Sequence, residues 1–282
     1  MINLIDTKVI LNNGVKMPFL GLGVMSIPDG QQMADTLSFA AEIGYRSFDT
    51  ATIYGNEKGV GMGIRQCGIS REELFITTKL WNNMQGYENA LKAFDASMKS
   101  LGLDYLDLYL LHWPLPMKPR YIETWKAFEK LYHEGRIRAI GVSNFNASQI
   151  DEIVEKCEIR PMVNQVEFHP LLTQPELQMY HQQNGVQMEA WSPLGQGEVL
   201  KNSIIQQLAG KYGKSAAQII IRWDLQKGVV TIPKSGTLER IKANADVFNF
   251  NLTDEDVALI DSLNIGKRLG PHPDEFFAGC VF

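Results

Sequence analysis

"LDLYLLHWPLPMKPRYIETWKAFEKLYH", residues 106–133, holds one complete structural unit. Residues 106–111 form a short apolar run of β type that ends at His112. After a short loop, residues 122–133 place apolar side chains at helical spacing. The same unit recurs in both directions. Further strand candidates lie at 19–24, 46–49, 75–78, 138–142, 163–167, 187–190 and 229–232. Amphipathic segments at 31–42, 87–101 and 215–226 fall between them, and Leu91, Phe94, Met98 and Leu101 form one apolar stripe. Strands alternating with helices argue for parallel strands joined by right-handed crossovers. Eight such units predict an α/β fold, a closed (β/α)8 TIM barrel, as a single domain over 1–282 with additional helices. Ahead of it, "KVILNNGVKMP" (8–18) carries two β-like runs around Asn-Gly and predicts an N-terminal β-hairpin. An open doubly wound sheet is the competing topology. "GLGV" at 21–24 lacks the third glycine of a dinucleotide fingerprint and does not open directly into a helix.

The bulk properties narrow the function. The 282 residues are 45% hydrophobic and 21% charged, a globular composition with enough chain for a large core. A net charge of -5 speaks against a broad nucleic-acid surface. Three cysteines, Cys67, Cys157 and Cys280, are widely spaced and form no CxxC, so disulfides and a zinc ribbon are not expected and the thiols read as inert. The start "MINLIDTKVI" lacks the apolar stretch of a signal peptide, and the apolar run around 106–114 is too short to span a bilayer. The expected location is cytoplasmic.

Barrel chemistry sits at the carboxyl ends of the strands, so the residues found there carry the functional reading. The second strand ends at Asp49 with Tyr54 just beyond, the third at Lys79, and the fourth at His112. The fifth delivers Ser143 and Asn144, the sixth Gln165, the seventh Trp191 and Ser192, the eighth Lys234 and Ser235. Seven consecutive strands thus bring a polar or aromatic group to one rim.

Tyr54 alone, with a pKa of about 10, exchanges protons poorly at neutral pH. An adjacent ammonium from Lys79 lowers that value, Asp49 supplies the counter-charge a buried lysine needs, and His112 can orient a substrate. Such a group can protonate an oxygen that becomes negative during reaction. The five histidines show neither HxH nor HExxH spacing, which points away from a metal-dependent hydrolase. His169 reads as structural. At the far end of the rim, "IPKSGTLERIKAN" (232–244) sets Lys234 and Arg240 around Ser235 and Thr237 where a helix begins, the composition of an anion site. A proton donor on one side and a phosphate site on the other suggest a phosphate-bearing cofactor across the rim.

The stretches "GYRSFDTATIYGNE", "FITTKLW", "DLYLLHWP", "AIGVSNF", "NQVEFHP", "EAWSPLGQG" and "IPKSGTLERIKAN" resemble the aldo-keto reductases over essentially the whole chain. The likeness is strongest to the short microbial branch with diketogluconate reductases, glyoxal reductases and protozoan prostaglandin F synthases. The resemblance implies NADPH-dependent reduction of aldehydes and ketones, without a metal, by a monomer acting on a small-molecule carbonyl substrate. It implies a catalytic tetrad of Asp49, Tyr54, Lys79 and His112, with Tyr54 as general acid. It assigns Ser143, Asn144 and Gln165 to the nicotinamide amide, Trp191 to stacking on the ring, and Ser192, Leu194 and Gly195 to the pyrophosphate. Lys234, Ser235, Thr237 and Arg240 would hold the 2′-phosphate and Asn244 the adenine. Met25, Trp81 and Trp113 are expected to wall the substrate pocket. Two departures stand out: Met25 replaces an aromatic common in the family, and Ala243 replaces an acid or amide beside the adenine. An NADPH-sensing regulatory subunit, as in potassium-channel β subunits, is the alternative from another class.

Overall fold

The computed structural model describes residues 7–276. The hairpin forms from β1 (Lys8–Ile10) and β2 (Lys16–Pro18), antiparallel with Lys8 opposite Pro18. Its turn docks on the amino-terminal end of the barrel. Asn12 donates to the carbonyls of Pro161 and Gly185, and Asn13 to that of Arg138, all at or near the starts of later strands. The hairpin therefore closes the end opposite the predicted rim.

Eight parallel strands follow: β3 (Leu22–Gly23), β4 (Ser47–Asp49), β5 (Phe75–Leu80), β6 (Leu106–Leu111), β7 (Ile137–Ser143), β8 (Val163–Glu167), β9 (Gln187–Trp191) and β10 (Val230–Thr231). Each pairs with its neighbours in chain order. Bridges Leu20↔Thr231 and Gly23↔Lys234 join the first strand to the last and close the cylinder. Of the expected first strand over 19–24, Leu22–Gly23 pair continuously with β4, while the seam to the last strand is made by the isolated bridges at Leu20 and Gly23. At this seam a Cβ on Gly23 would sit 2.8 Å from the Ile232 carbonyl oxygen, so the close approach of the two segments requires glycine there.

The helices are α1 (Gln31–Glu42), α2 (Glu57–Gln66), α3 (Tyr87–Leu101), α4 (Tyr121–His133), α5 (Ala147–Lys156), α6 (Pro175–Asn184), α7 (Ser203–Tyr212), α8 (Ala216–Gln226), α9 (Leu238–Ala245) and α10 (Asp254–Asp261). Alternation breaks once between β9 and β10, where both α7 and α8 intervene, and α10 follows α9. Reciprocal capping boxes start α5 (Asn146 with Gln149) and α8 (Ser215 with Gln218). Fully buried rings join helix to strand: Tyr109 of β6 lies 4.5 Å from Phe128 of α4 and 5.4 Å from Phe94 of α3. Burial of each such side chain stabilises the fold by roughly 1.5–3 kcal/mol. This shell fixes the strand ends that carry the site. Among the described residues, no helix is long and apolar enough to cross a membrane.

Candidate active site

Side chains alternate across a strand, so a polar residue between apolar neighbours turns to the opposite face. On β4, Phe48 joins the hydrophobic core while Asp49 turns the other way. On β5, Lys79 reaches it: the ammonium lies 2.5 Å from Asp49 Oδ1 and donates to the Thr50 carbonyl at 3.0 Å. Lys79 stands 5.2 Å from the centre of the Tyr54 ring, whose edge meets His112 at 6.0 Å. The four residues of the expected tetrad are thus brought together.

The electrostatics differ from the sequence expectation in one respect. Burial raises the Tyr54 phenol above its ordinary pKa, and this outweighs the pull of Lys79, which Asp49 also opposes. The phenol is therefore a loaded proton donor at neutral pH rather than a phenolate. Lys79 loses to burial but gains more from Asp49 and Tyr54, so its ammonium persists. His112 is driven well below the usual histidine range, first by burial and then by Lys79. It is a neutral imidazole, and its Nδ1 has no hydrogen-bond partner among the described residues.

Asp49, Tyr54 and His112 line an open cleft of about 950 Å³, solvent at its mouth included, while Lys79 is buried outside the lining. Ser143, Asn144, Gln165, Trp191, Ser192 and Lys234 line it as expected, as do Met25 and Trp113. Asn144 links several of them. It adopts a left-handed φ of 65°, donates to the His112 carbonyl at 3.0 Å, and accepts from the Trp191 indole at 2.8 Å. Ser192, at φ 51°, is a second non-glycine residue held in that region at a strand end, where strain concentrates at functional sites. Trp81 does not line the cleft but packs its edge on His112 at 5.0 Å, and Trp113 stacks on Phe276 at 4.1 Å.

Leu194 and Gly195 lie behind the cleft wall, between Ser192 and Gln196, which do line it. Ser235, Thr237, Arg240 and Asn244 run on from Lys234 into α9, outside the lining of this cleft. Ser235 is buried, and its hydroxyl accepts from the Thr237 N–H at 3.1 Å. Lys234 and Arg240 are exposed, and among the described residues neither pairs with a carboxylate, unlike Lys214 and Lys227. Two unpaired cations beside a helix start fit an anionic group.

Three groups escaped the sequence reading. Leu269, Gly270 and Pro271 form part of the cleft wall. Glu167, at the end of β8, fastens them by accepting from the N–H groups of Leu269 (2.6 Å) and Gly270 (3.1 Å). Glu189 of β9 lies wholly buried beside Gln165. The final segment has no periodic pattern to place it, and a single acid inside a strand carries no signal of its own. His169 is buried against Glu167 at 3.1 Å. Cys67 and Cys157 are free thiols, and Cys280 lies outside the described residues. Among the described residues, no cluster of His, Cys, Asp or Glu could hold a metal.

Residues 19–265 match the Aldo/keto reductase family. Glyoxal reductase of Bacillus subtilis (strain 168) is 57% identical over 265 residues, covering 94% of this chain and 95% of that protein. The 9,11-endoperoxide prostaglandin H2 reductase of Trypanosoma cruzi is 53% identical over 274 residues, with 96% of each chain covered. A Bombyx mori aldo-keto reductase solved in complex with NADP superposes with a TM-score of 0.88 at 38% identity, over 94% of this chain and 95% of that one. Matched so fully in sequence and in fold, this chain belongs to the Aldo/keto reductase family.

Proposed function

We propose that the chain reduces aldehydes and ketones to alcohols with NADPH, and that Tyr54 is the general acid. The observation that carries this reading is the buried Lys79–Asp49 pair set 5.2 Å from the centre of the Tyr54 ring, with His112 beside that ring at the cleft. A bound nicotinamide cofactor supplies the hydride. Tyr54 gives its proton to the carbonyl oxygen as negative charge develops there. Lys79 stabilises the phenolate left behind, and Asp49 keeps Lys79 charged. His112, being neutral, donates a hydrogen bond to the same oxygen and sets the orientation of the substrate.

The remaining assignments follow from placement and charge. Gln165, Ser143 and Asn144 offer polar groups for the nicotinamide amide, and the Trp191 ring offers a face for stacking. Ser192, Leu194 and Gly195 flank the pyrophosphate. Lys234, Ser235, Thr237 and Arg240 receive the 2′-phosphate, and Asn244 bonds the adenine. The NADP bound in the Bombyx mori relative supports this choice of cofactor. The name of the Bacillus subtilis relative supports small dicarbonyls as substrates. Met25 and Trp113 wall the substrate end, with Trp81 packed against His112 outside the lining; an exposed Met25 and buried Trp113 make that end apolar, suited to uncharged carbonyls.

The test is NADPH oxidation across a panel of methylglyoxal, 2,5-diketogluconate, a benzaldehyde and an aldose, beside Tyr54→Phe. Turnover that falls by about 10²–10⁴ in the variant, with NADPH binding retained, is the expected outcome. Normal turnover by Tyr54→Phe overturns the assignment of the acid.

A further inference from the structure

On β9, Met188 and Ala190 sink into the helix-side core, so Glu189 between them points to the opposite face. It is 1% exposed. Glutamate is almost never buried this deeply without a partner. Among the described residues Glu189 forms no ion pair. Its Oε2 accepts one hydrogen bond, from Gln165 Nε2 at 2.8 Å, and its Oε1 has no partner among the described residues. Gln165 is its register neighbour on β8. The same Gln165 nitrogen donates to Asp49 Oδ2 at 2.9 Å. Asp49, ionised against Lys79, can only accept, so the atom between the two carboxyls must be the amide nitrogen. Both of its hydrogens are then engaged. A line of contacts runs Lys79–Asp49–Gln165–Glu189 across the barrel, from the ammonium beside the proposed proton donor, through the proposed nicotinamide contact, to Glu189.

We propose that Glu189 is a positioning residue of the reductase site: with Asp49 it holds the Gln165 amide so that only the Gln165 carbonyl meets the cofactor, and it braces the Asp49 carboxylate that grips Lys79. This inference rests on the reductase reading. The charged groups facing Glu189 are Asp49 from β4 and Lys79 from β5; its register neighbour on β10 is the apolar Val230. Burial, then the Asp49 charge, push the Glu189 carboxyl up to about 8, against the pull of Gln165 and Lys79. At neutral pH it is protonated and adds no charge to the Asp49–Lys79 pair. Above that point it ionises. The added negative charge opposes the Tyr54 phenolate that forms as the proton leaves, and it favours a cationic nicotinamide over a neutral one.

The experiment compares wild type, Glu189→Gln and Glu189→Leu from about pH 6 to about pH 9.5. It records kcat and KM for methylglyoxal reduction, and NADP+ affinity by quenching of tryptophan fluorescence. Wild-type kcat should fall in a step near pH 8 while NADP+ binds more tightly across the same step. Glu189→Gln, a neutral isostere that still accepts from Gln165, should match wild type at pH 6.5 and lack both transitions. Glu189→Leu should lose about tenfold or more in kcat and in cofactor affinity at every pH, the scale expected when reacting groups are misplaced. A Gln variant that keeps the step, or a Leu variant equal to wild type in kcat and affinity, overturns the proposal. If the Leu variant fails to fold, Glu189→Ala takes its place, with a loss of about tenfold or more in kcat and NADP+ affinity at about pH 6.5 expected and wild-type values overturning the proposal. A wild type that reduces no carbonyl refutes the reductase reading instead, and the NADP+ titration then still decides the role of Glu189.

Discussion

Lys79 and Asp49 form an ion pair at 2.5 Å with side-chain exposures of 0% and 3%, inside the barrel that carries the cleft. Each charge is tolerated there because the other is present. Among the described residues, Lys79→Met leaves the Asp49 carboxylate with the Gln165 amide as its remaining side-chain partner, and Asp49→Asn leaves the ammonium without its counter-charge and with the Thr50 carbonyl. Breaking a buried pair from one side costs about 3–5 kcal/mol. Urea unfolding of both single variants and the double should show the double well short of the sum. Additive losses would mean that the two residues do not hold each other.

The Tyr54 phenol, raised by burial above its ordinary value of 10, stays protonated through the neutral range. Carbonyl reduction consumes that proton, whereas alcohol oxidation needs the phenolate. The oxidation rate should therefore climb from pH 7 to about pH 10 without reaching a plateau. Initial rates with an alcohol and NADP+ across that range check the sign. A plateau below pH 9 would mean that the Lys79 charge overcomes burial.

Much of this was legible because periodicity and polarity coincided. The limits of β6 and β8 match the apolar runs at 106–111 and 163–167, and α3 ends at Leu101, where Gly102 takes a left-handed turn. Asp49, Tyr54, Lys79 and His112 were legible because each interrupts or follows an apolar strand. The net direction of the Tyr54 shift was not, because it depends on how deeply the assembled barrel buries the phenol. Glu189 was hidden for a related reason: only the cross-barrel contact through Gln165 distinguishes it from an ordinary strand residue. The closing bridges from Leu20 and Gly23 were not legible either, because their partners, Thr231 and Lys234, lie some two hundred positions away.

Arg240 stands exposed on α9 and, among the described residues, without a carboxylate partner, so an anion would be its first strong partner. A charge-assisted hydrogen bond contributes about 1.5–3 kcal/mol. Arg240→Ala should therefore weaken NADPH about 10- to 100-fold and leave NADH nearly unchanged. Fluorescence titration with both cofactors separates the cases. Equal losses would show that Arg240 does not read the 2′-phosphate.

Gly270 lies against the Trp191 ring, where an added Cβ would come within 2.3 Å of Cη2 and 3.0 Å of Cζ3. Neither side can readily give way. The Trp191 indole is tied to Asn144 Oδ1 at 2.8 Å, and the Gly270 N–H is tied to the buried carboxylate of Glu167 at 3.1 Å. Glu167 is a firm anchor: burial raises its pKa, but His169 and the two backbone N–H groups outweigh that and keep it ionised. Gly270→Ala must therefore break one tie. Either the wall segment lifts from Glu167 or the Trp191 ring tilts, and both disturb the surface proposed to receive the nicotinamide. Overpacking of this kind costs about 1–3 kcal/mol. The variant should unfold at lower urea concentration, bind NADPH about tenfold more weakly and show altered tryptophan emission. Wild-type affinity and emission in Gly270→Ala would mean that the wall segment yields without moving Trp191, and that the ring is held by Asn144 alone.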